Sequence, residues 1–310
     1  MDWSKGFEAT YYGSFIDENS WRDIERFEIL GGSVTHTVSE LMESADVSCR
    51  NYKGGERWIR IWLDAKQNGE TVHTALFTGL ANCPKDEIEG NITSNSLECY
   101  SVLKPLSDIL LPRGWYVSVG SVRGILKDLF EPTPAPIVFD DEMPSLGNYI
   151  IAESGETNLS MINRILSALN LRLKITGLGE VHICKTAKDI SAEFNAKKDY
   201  LEPVLSKEND WYECPNVFRA IADSESVEVR DEENIKERGR EIWAEEDSVK
   251  LNAQETLYQY ALRRLKEKQM VTAKAMYKRR FNPDVYVTDL VKFNYKQING
   301  VYLVNSQKIE

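Results

Sequence analysis

Three histidines, five cysteines and one acidic triplet are the residues whose types could do chemistry, and their spacing allows little of it. His36, His73 and His182 each fall in a strand-like stretch, with no histidine or glutamate at the spacing a metal requires, so each reads as an ordinary sheet residue. Cys49, Cys83, Cys99, Cys184 and Cys214 are odd in number and scattered, with no C-x-x-C, which predicts reduced, mostly buried thiols. Asp140-Asp141-Glu142 lacks the alternating oxygen ligands and the glycine of a calcium loop and reads as a solvated acidic turn. Gly177-Leu178-Gly179 has no third glycine and opens no helix, so it is a turn rather than a dinucleotide fingerprint. There is no G-x-S-x-G elbow and no P-loop. A carboxylate pair needs no proximity in sequence, and with 49 acidic residues one such pair carries no information. The residues predict a protein that is not an enzyme and takes no cofactor and no metal.

The other chemistry open to the chain is charge pairing. Between Asp223 and Asp247 eleven acidic residues stand against four basic ones, and from Arg263 to Arg280 eight basic residues stand against Glu267 alone. Each run carries about seven net charges, of opposite sign. The pattern fits two solvated faces. It equally fits a contact in which one copy's acidic patch (Asp231, Glu232, Glu233, Glu245, Glu246, Asp247) meets the next copy's basic patch (Arg263, Arg264, Lys274, Lys278, Arg280), as a head-to-tail ring requires.

The elements that would present these residues are mostly strands. In Trp58–Leu63, Ile59, Ile61 and Leu63 share one face, and Trp58, Arg60 and Trp62 share the other. Apolar bulk on both faces predicts a strand covered twice, and places Trp58 and Trp62 against a neighbour. Strand patterns also fall at Phe27–Val38, Ala45–Arg50, Thr71–Leu80 and Asn91–Tyr100, with Gly54-Gly55 and Asn68-Gly69 as turns. Ser121 is placed to cap a helix carrying Val122, Ile125, Leu126 and Leu129, stopped before a run with four prolines from Pro132 to Pro144. A second helix is predicted from about Thr157 to Asn170, then a hairpin of Leu171–Ile175 and Val181–Ile183.

From about Leu201 the pattern is β again with one helix. Asn252 and Glu255 have the form of its capping box, and Leu257, Ala261 and Leu265 form its stripe. Beyond it, Val271, Ala273, Ala275, Tyr277 and Phe281 alternate with Thr272, Lys274, Met276, Lys278 and Arg280, which lines three cations along one side of a sheet. Strands at Val285–Tyr295 and Val301–Ile309, joined through Asn299-Gly300, are expected to finish the chain. The predicted class is mainly β with α+β character. A β lobe (1–100), a small α/β unit (101–200) and a second β lobe with one helix (201–310) follow one another.

With 310 residues, 42% of them hydrophobic, the chain can bury a full core, and no apolar run is long enough to span a membrane. A net charge of −11 argues against a general nucleic-acid binder, and no sequence-specific nucleic-acid partner is expected. The start, Met1–Gly6, has no basic-then-apolar signal pattern, so synthesis and folding in the cytoplasm are expected.

Leu169–Ile183, Asp210–Val217 and Glu237–Glu246, with Trp21–Val34 and Glu98–Leu106, together resemble the tail hub proteins of bacteriophages and of related defective-phage and tail-like bacteriocin particles. The likeness runs through nearly the whole chain in order, in short and degenerate pieces. It implies two tube-like β-barrel or sandwich lobes flanking the α/β unit, in a homotrimer at the distal tail or baseplate. There three chains would make a pseudo-six-fold ring joining the six-fold tail tube to a three-fold spike or tip. The implied partners are further copies of the chain, a tail tube or distal tail protein, a spike or tip protein and a tape-measure protein, in a particle assembled in the host bacterial cytoplasm. Many such hubs carry a C-terminal hydrolase or fibre-like extension, which here is expected to be absent or supplied by another chain. Seven tryptophans and fourteen tyrosines leave open an alternative, a cell-wall hydrolase or carbohydrate-binding tail component, because aromatic faces stack on sugars.

Overall fold

The computed structural model describes residues 1–3, 5–89, 92–139, 142–185, 189–195, 205–209, 212, 214–223, 225–270, 273–295 and 298–310. The fold is mainly β with an α/β centre. Six strands open the chain: β1 (Glu8–Ile16), β2 (Asp23–Thr37), β3 (Glu43–Arg50), β4 (Arg57–Gln67), β5 (Glu70–Glu89) and β6 (Ile92–Ser101). They pair antiparallel in the order β1-β4-β5-β6-β3-β2, and β2 returns to pair with β1, so the sheet closes into a barrel. Closure follows from the period-2 pattern: Phe15, Phe27, Val47, Ile59, Ile61, Leu63, Phe77 and Leu97 all point inward and form one core. The strand β1 had no counterpart in the sequence reading. Its Glu-Ala-Thr-Tyr-Tyr start alternates poorly, and only Phe15 and Ile16 at its end are strongly apolar and buried.

The middle unit contains α1 (Lys104–Asp108), β7 (Tyr116–Val117), α2 (Arg123–Phe130), β8 (Ile137–Phe139), β9 (Ile150–Ile151), α3 (Asn158–Ala168), β10 (Leu171–Ile175) and β11 (Val181–Lys185). Helix α2 starts without a side-chain cap, so Ser121 does not serve as one. The Thr157 hydroxyl does cap α3, accepting from the Ser160 N–H at 3.1 Å. The predicted hairpin is β10–β11, with β8 added in parallel. Its Gly177-Leu178-Gly179 turn docks on the outer wall of the barrel. The Gly177 carbonyl accepts from Thr78 Oγ1 (2.7 Å), and the Leu178 carbonyl accepts from Arg60 (3.0 Å) and from the Trp21 indole (2.9 Å). A Cβ on residue 177 would overlap the Ala75 carbonyl, so glycine is required for the close approach.

The last third contains β12 (Ile190–Asn195), β13 (Leu205–Asn209), β14 (Val217–Ala222), β15 (Glu225–Arg230), α4 (Glu232–Arg238), β16 (Trp243–Glu246), α5 (Leu257–Met270), β17 (Ala273–Tyr277), β18 (Leu290–Asn294), β19 (Asn299–Leu303) and β20 (Ser306–Ile309). Among the described residues these form two cores. Helix α5 covers the sheet β15-β14-β16, while the sheet β12-β18-β19 gathers round Phe194, Val291 and Phe293, with Ala275 and Tyr277 of β17 against it.

Several expectations fail here. Among the described residues the segment has two helices rather than one: α4 carries Ile235 as its one apolar side chain and has no buried residue, so no apolar stripe announced it. The N-terminus of α5 is boxed by Thr256 and Gln259, not by Asn252 and Glu255. The Thr256 hydroxyl accepts from the Gln259 N–H (3.2 Å) while Gln259 Oε1 accepts from the Thr256 N–H (2.9 Å). Val301–Ile309 is not one strand. Its β19 half pairs with β18, and β20 crosses to the N-terminal barrel, pairing with the Val34–Thr37 end of β2. Asn91, Leu201, Trp211, Val271 and Thr272, and Asp140 and Asp141 of the acidic triplet, lie outside the described residues. No helix among the described residues is long and apolar enough to cross a membrane.

Candidate functional site

The acidic run has local work to do within its own chain. Asp231 precedes α4 and accepts from the Asn234 N–H at 3.1 Å, and its other oxygen accepts from Gln269 of α5 at 2.9 Å. Glu232 and Glu233 stand in the first turn, Lys236 and Arg238 in the last, and Gly239 at φ +66° closes the helix. That order sets charges against the helix dipole favourably at both ends. On the outer face of the three-stranded sheet, Arg219 bonds Glu228 (2.7 Å) and Glu245 (3.1 Å) and lies over the Trp243 ring, while Arg230 pairs with Glu232 (3.1 Å) and Glu241. Glu233 and Asp247 are exposed, and Asp247 accepts from the Ser248 N–H at 2.6 Å.

Arg263, Arg264 and Lys268 of the basic run likewise meet carboxylates of their own chain. Arg264 grips Glu246 with two nitrogens, Tyr260 donates to the same carboxylate (2.8 Å), and Lys268 stands 3.5 Å away. Burial opposes ionisation of Glu246. The hydrogen bonds from Arg264 and Tyr260, with the nearby cations, outweigh that cost and hold its carboxyl below the usual range. Arg263 takes Glu255 through two nitrogens (3.0 and 3.2 Å) and Glu267 through a third (3.0 Å). Glu246, Arg263 and Arg264 therefore meet partners of their own chain. The alternation holds only within β17, where Ala275 and Tyr277 pack inward while Lys274 and Met276 are exposed. The strand ends at Tyr277, short of the predicted run to Phe281: Lys278 and Arg280, also exposed, lie beyond its end, and Phe281 packs against the barrel core instead.

The two tryptophans separate. Trp58 is 6% exposed and belongs to the core of the middle unit, so the cover over that face of β4 comes from the same chain. Trp62 stays half-buried on the barrel wall, stacked on Tyr12 at 6.3 Å with its indole donating to Asp23 (3.1 Å). Arg60 between them is buried, bonded to Asp23, Thr78 and the Leu178 carbonyl. Alternation put Arg60 on the correct face, but which body lay over it was not legible from the strand.

Catalytic geometry does not assemble among the described residues. His36 Nδ1 lies 2.8 Å from Glu43 Oε1, a cross-strand contact that the register of β2 and β3 creates from positions seven apart. Both are buried, and desolvation, opposed by His36, holds the Glu43 carboxyl above the usual range. His73 pairs with Asp64 (2.6 Å) on the exposed barrel wall, and His182 lies 3.7 Å from Glu180. No group of three metal-ligating side chains occurs among the described residues. All five cysteines are free thiols, and burial pushes the Cys49 thiol up to about 12, which makes it a poor nucleophile. A cleft of about 280 Å³ lies where the β2–β3 turn, the end of α3 and α5 meet. Arg263, Arg264 and Glu267 on its wall are the ion-paired residues of α5, and no nucleophile stands beside a base there.

No protein-family model matches the chain, and no curated protein matches it. Solved structures do. The 43 kDa tail protein of prophage MuSo2 from Shewanella oneidensis superposes with a TM-score of 0.65 at 14% identity, covering 97% of this chain and 94% of that one. A tail protein from Neisseria meningitidis MC58 gives 0.69 at 14% identity over 96% and 91%. The prophage tail protein gp18 from Listeria monocytogenes EGD-e gives 0.60 at 13% identity over 97% and 90%. The chain has the fold of these tail proteins from end to end, at an identity where side chains have almost wholly diverged.

Proposed function

We propose that this chain is a structural, non-enzymatic tail protein of a phage or phage-like particle, working as a hub. Three copies would form a ring at the distal tail or baseplate, joining the six-fold tube above to a three-fold spike or tip below. The observation that carries the reading is the end-to-end match to prophage tail proteins, covering nine-tenths or more of both partners. On this reading a β lobe over 1–100 and a second over 201–310, with a middle unit over 101–200, are the two lobes per copy that such a ring requires. The closed barrel of β1–β6 supports the first of them, with β20 added to it from the last segment and β12 joined to the sheet of β18 and β19. The partners on this reading are further copies, a tube or distal tail protein, a spike or tip protein and a tape-measure protein.

Ring contacts are expected to be large and permanent, on the order of 2,000 Å² each. Their charged part would use the cations that the chain displays outward, Lys274, Lys278 and Arg280, against acidic groups such as Glu232, Glu233, Glu245 and Asp247 of another copy. Reversing Lys274, Lys278 and Arg280 to glutamate together is expected to abolish trimers in size-exclusion chromatography with light scattering, while circular dichroism stays that of the folded monomer. A variant that still assembles as the natural chain does removes this surface from the contact. Reproducible clearing of a cell-wall suspension by the purified chain would overturn the non-enzymatic reading.

A further inference from the structure

The cleft between the β2–β3 turn, the end of α3, β10 and α5 concentrates unfavourable backbone geometry. Eight non-glycine residues have positive φ among the described residues, and three of them line it: Met42 (φ +62°), Asn170 (φ +54°) and Thr288 (φ +75°). Asparagine tolerates that region, but for β-branched Thr288 it is a genuine outlier. Both backbone groups of Thr288 are tied down. Its N–H donates to the Val304 carbonyl (2.8 Å), and its own carbonyl accepts from Arg172 Nη1. The residue is 8% exposed, and its hydroxyl has no hydrogen-bond partner among the described residues. Strain of this kind gathers where a ligand is held, and a buried hydroxyl left unpaired is a second, independent mark of such a place.

The charges on the wall select the ligand. Arg263 and Arg264 commit all three of their guanidinium nitrogens to Glu246, Glu255 and Glu267. Arg172 is different. Its Nε donates to the Lys185 carbonyl (3.2 Å) and its Nη1 to the Thr288 carbonyl. Among the described residues no carboxylate pairs with Arg172 and nothing accepts from its Nη2. One cation without a counter-ion therefore stands beside a hydroxyl without an acceptor. Asn163, Ser167 and Asn170, at i, i+4 and i+7, add amides and a hydroxyl to one side of the cleft. Leu166, Leu171 and Leu173 supply apolar wall. A guanidinium matches a carboxylate in charge and in plane. A single uncompensated charge, in a space just under the usual range of small-ligand sites, fits one carboxylate on an aliphatic stem rather than a phosphate dianion.

We propose that this cleft binds a carboxylate on a short aliphatic stem, with Arg172 as its charge partner and the Thr288 hydroxyl as a second donor. A glutamate side chain of another polypeptide carries that group, and so does a free aliphatic diacid. The site is separate from the ring of copies and does not depend on it.

Saturation-transfer NMR on the purified full chain tests this with three probes: acetyl-Leu-Glu-Leu-amide, acetyl-Leu-Gln-Leu-amide and glutarate. The glutamate peptide or glutarate is expected to bind, and the glutamine peptide to bind about ten-fold more weakly or worse. Tighter binding of the glutamate peptide than of glutarate assigns the carboxylate to a polypeptide partner, and the reverse assigns it to a free acid. Arg172→Gln is expected to abolish the preference for the carboxylate. Thr288→Gly removes the hydroxyl and suits a φ of +75°, so it is expected to weaken carboxylate binding several-fold while melting no lower than the natural chain. A turn with only a structural role would not show that combination, and Thr288→Gly decides the case if Arg172→Gln does not fold. No binding of either carboxylate probe at about 10 mM, binding of both peptides with equal affinity, or carboxylate binding unchanged in the folded variants overturns the proposal. None of these outcomes touches the hub reading, which fails separately if the chain does not assemble.

Discussion

Glu43 is the residue where burial and charge are most directly opposed. Its carboxyl is 5% exposed, one oxygen meets His36, and the other has no hydrogen-bond partner among the described residues. Desolvation favours the protonated form, so the folded state binds a proton that the unfolded chain releases near its ordinary value of 4.5. A pKa raised by folding contributes stability in full below that value and loses it as the pH rises through the raised one. Glu43→Gln keeps an oxygen for His36 and removes the titration. Thermal melts from pH 4 to pH 8 are therefore expected to show the natural chain losing ground to the variant as the pH rises. A gap between the two that does not change with pH would contradict this. The partner of His36 could be found only by pairing β2 with β3, because a contact made by strand register leaves no mark at metal-ligand spacing.

At the scale of elements, local signals served best where one segment decides its own ends. Thr157 caps α3 as its residue type and position predict, and β10 has the predicted bounds. At α5 two cap signatures lie four residues apart, N-x-x-E at 252 and T-x-x-Q at 256, and the sequence reading took the first. The second is used because Asn252 is held elsewhere: it bridges to Leu146, the Ala253 N–H donates to the Ser145 carbonyl (2.9 Å), and the chain turns at 253–254 before the helix begins. Glu255 is thereby left to hold Arg263. Thr256→Ala is expected to cost about 1 kcal/mol in chemical denaturation, the usual worth of an N-cap hydroxyl, and Asn252→Ala to leave the helicity of α5 unchanged. Equal loss of helical signal in both variants would return the cap to Asn252.

For the whole molecule the decisive feature is that the chain's last strand completes its first lobe. β20 extends the barrel at the half of β2 that β1 leaves uncovered, and Ile309 and Phe281 pack with Trp3 and Phe7 against the barrel core. Removing residues 306–310 exposes that edge of β2 and strips Ile309 from the core. A loss of about 2 kcal/mol or more is expected, with faster hydrogen exchange at Val34–Thr37. Unchanged protection of those amides would show that the barrel closes without the C-terminus. The shared strand also ties the first lobe to the last.

By itself the sequence determined what depends on neighbours along the chain: the β character of both ends, the helix and hairpin of the centre, and the outward face of Lys274 and Met276 in β17. A side chain's face follows from a period of two or of 3.6, and that period is written locally. Tertiary structure alone decided what covers each face. It buried Trp58 under the middle unit, gave Glu246, Arg263 and Arg264 partners within their own chain, and sent β20 back to β2, because the nearest opposite charge or open edge in space need not be near in sequence.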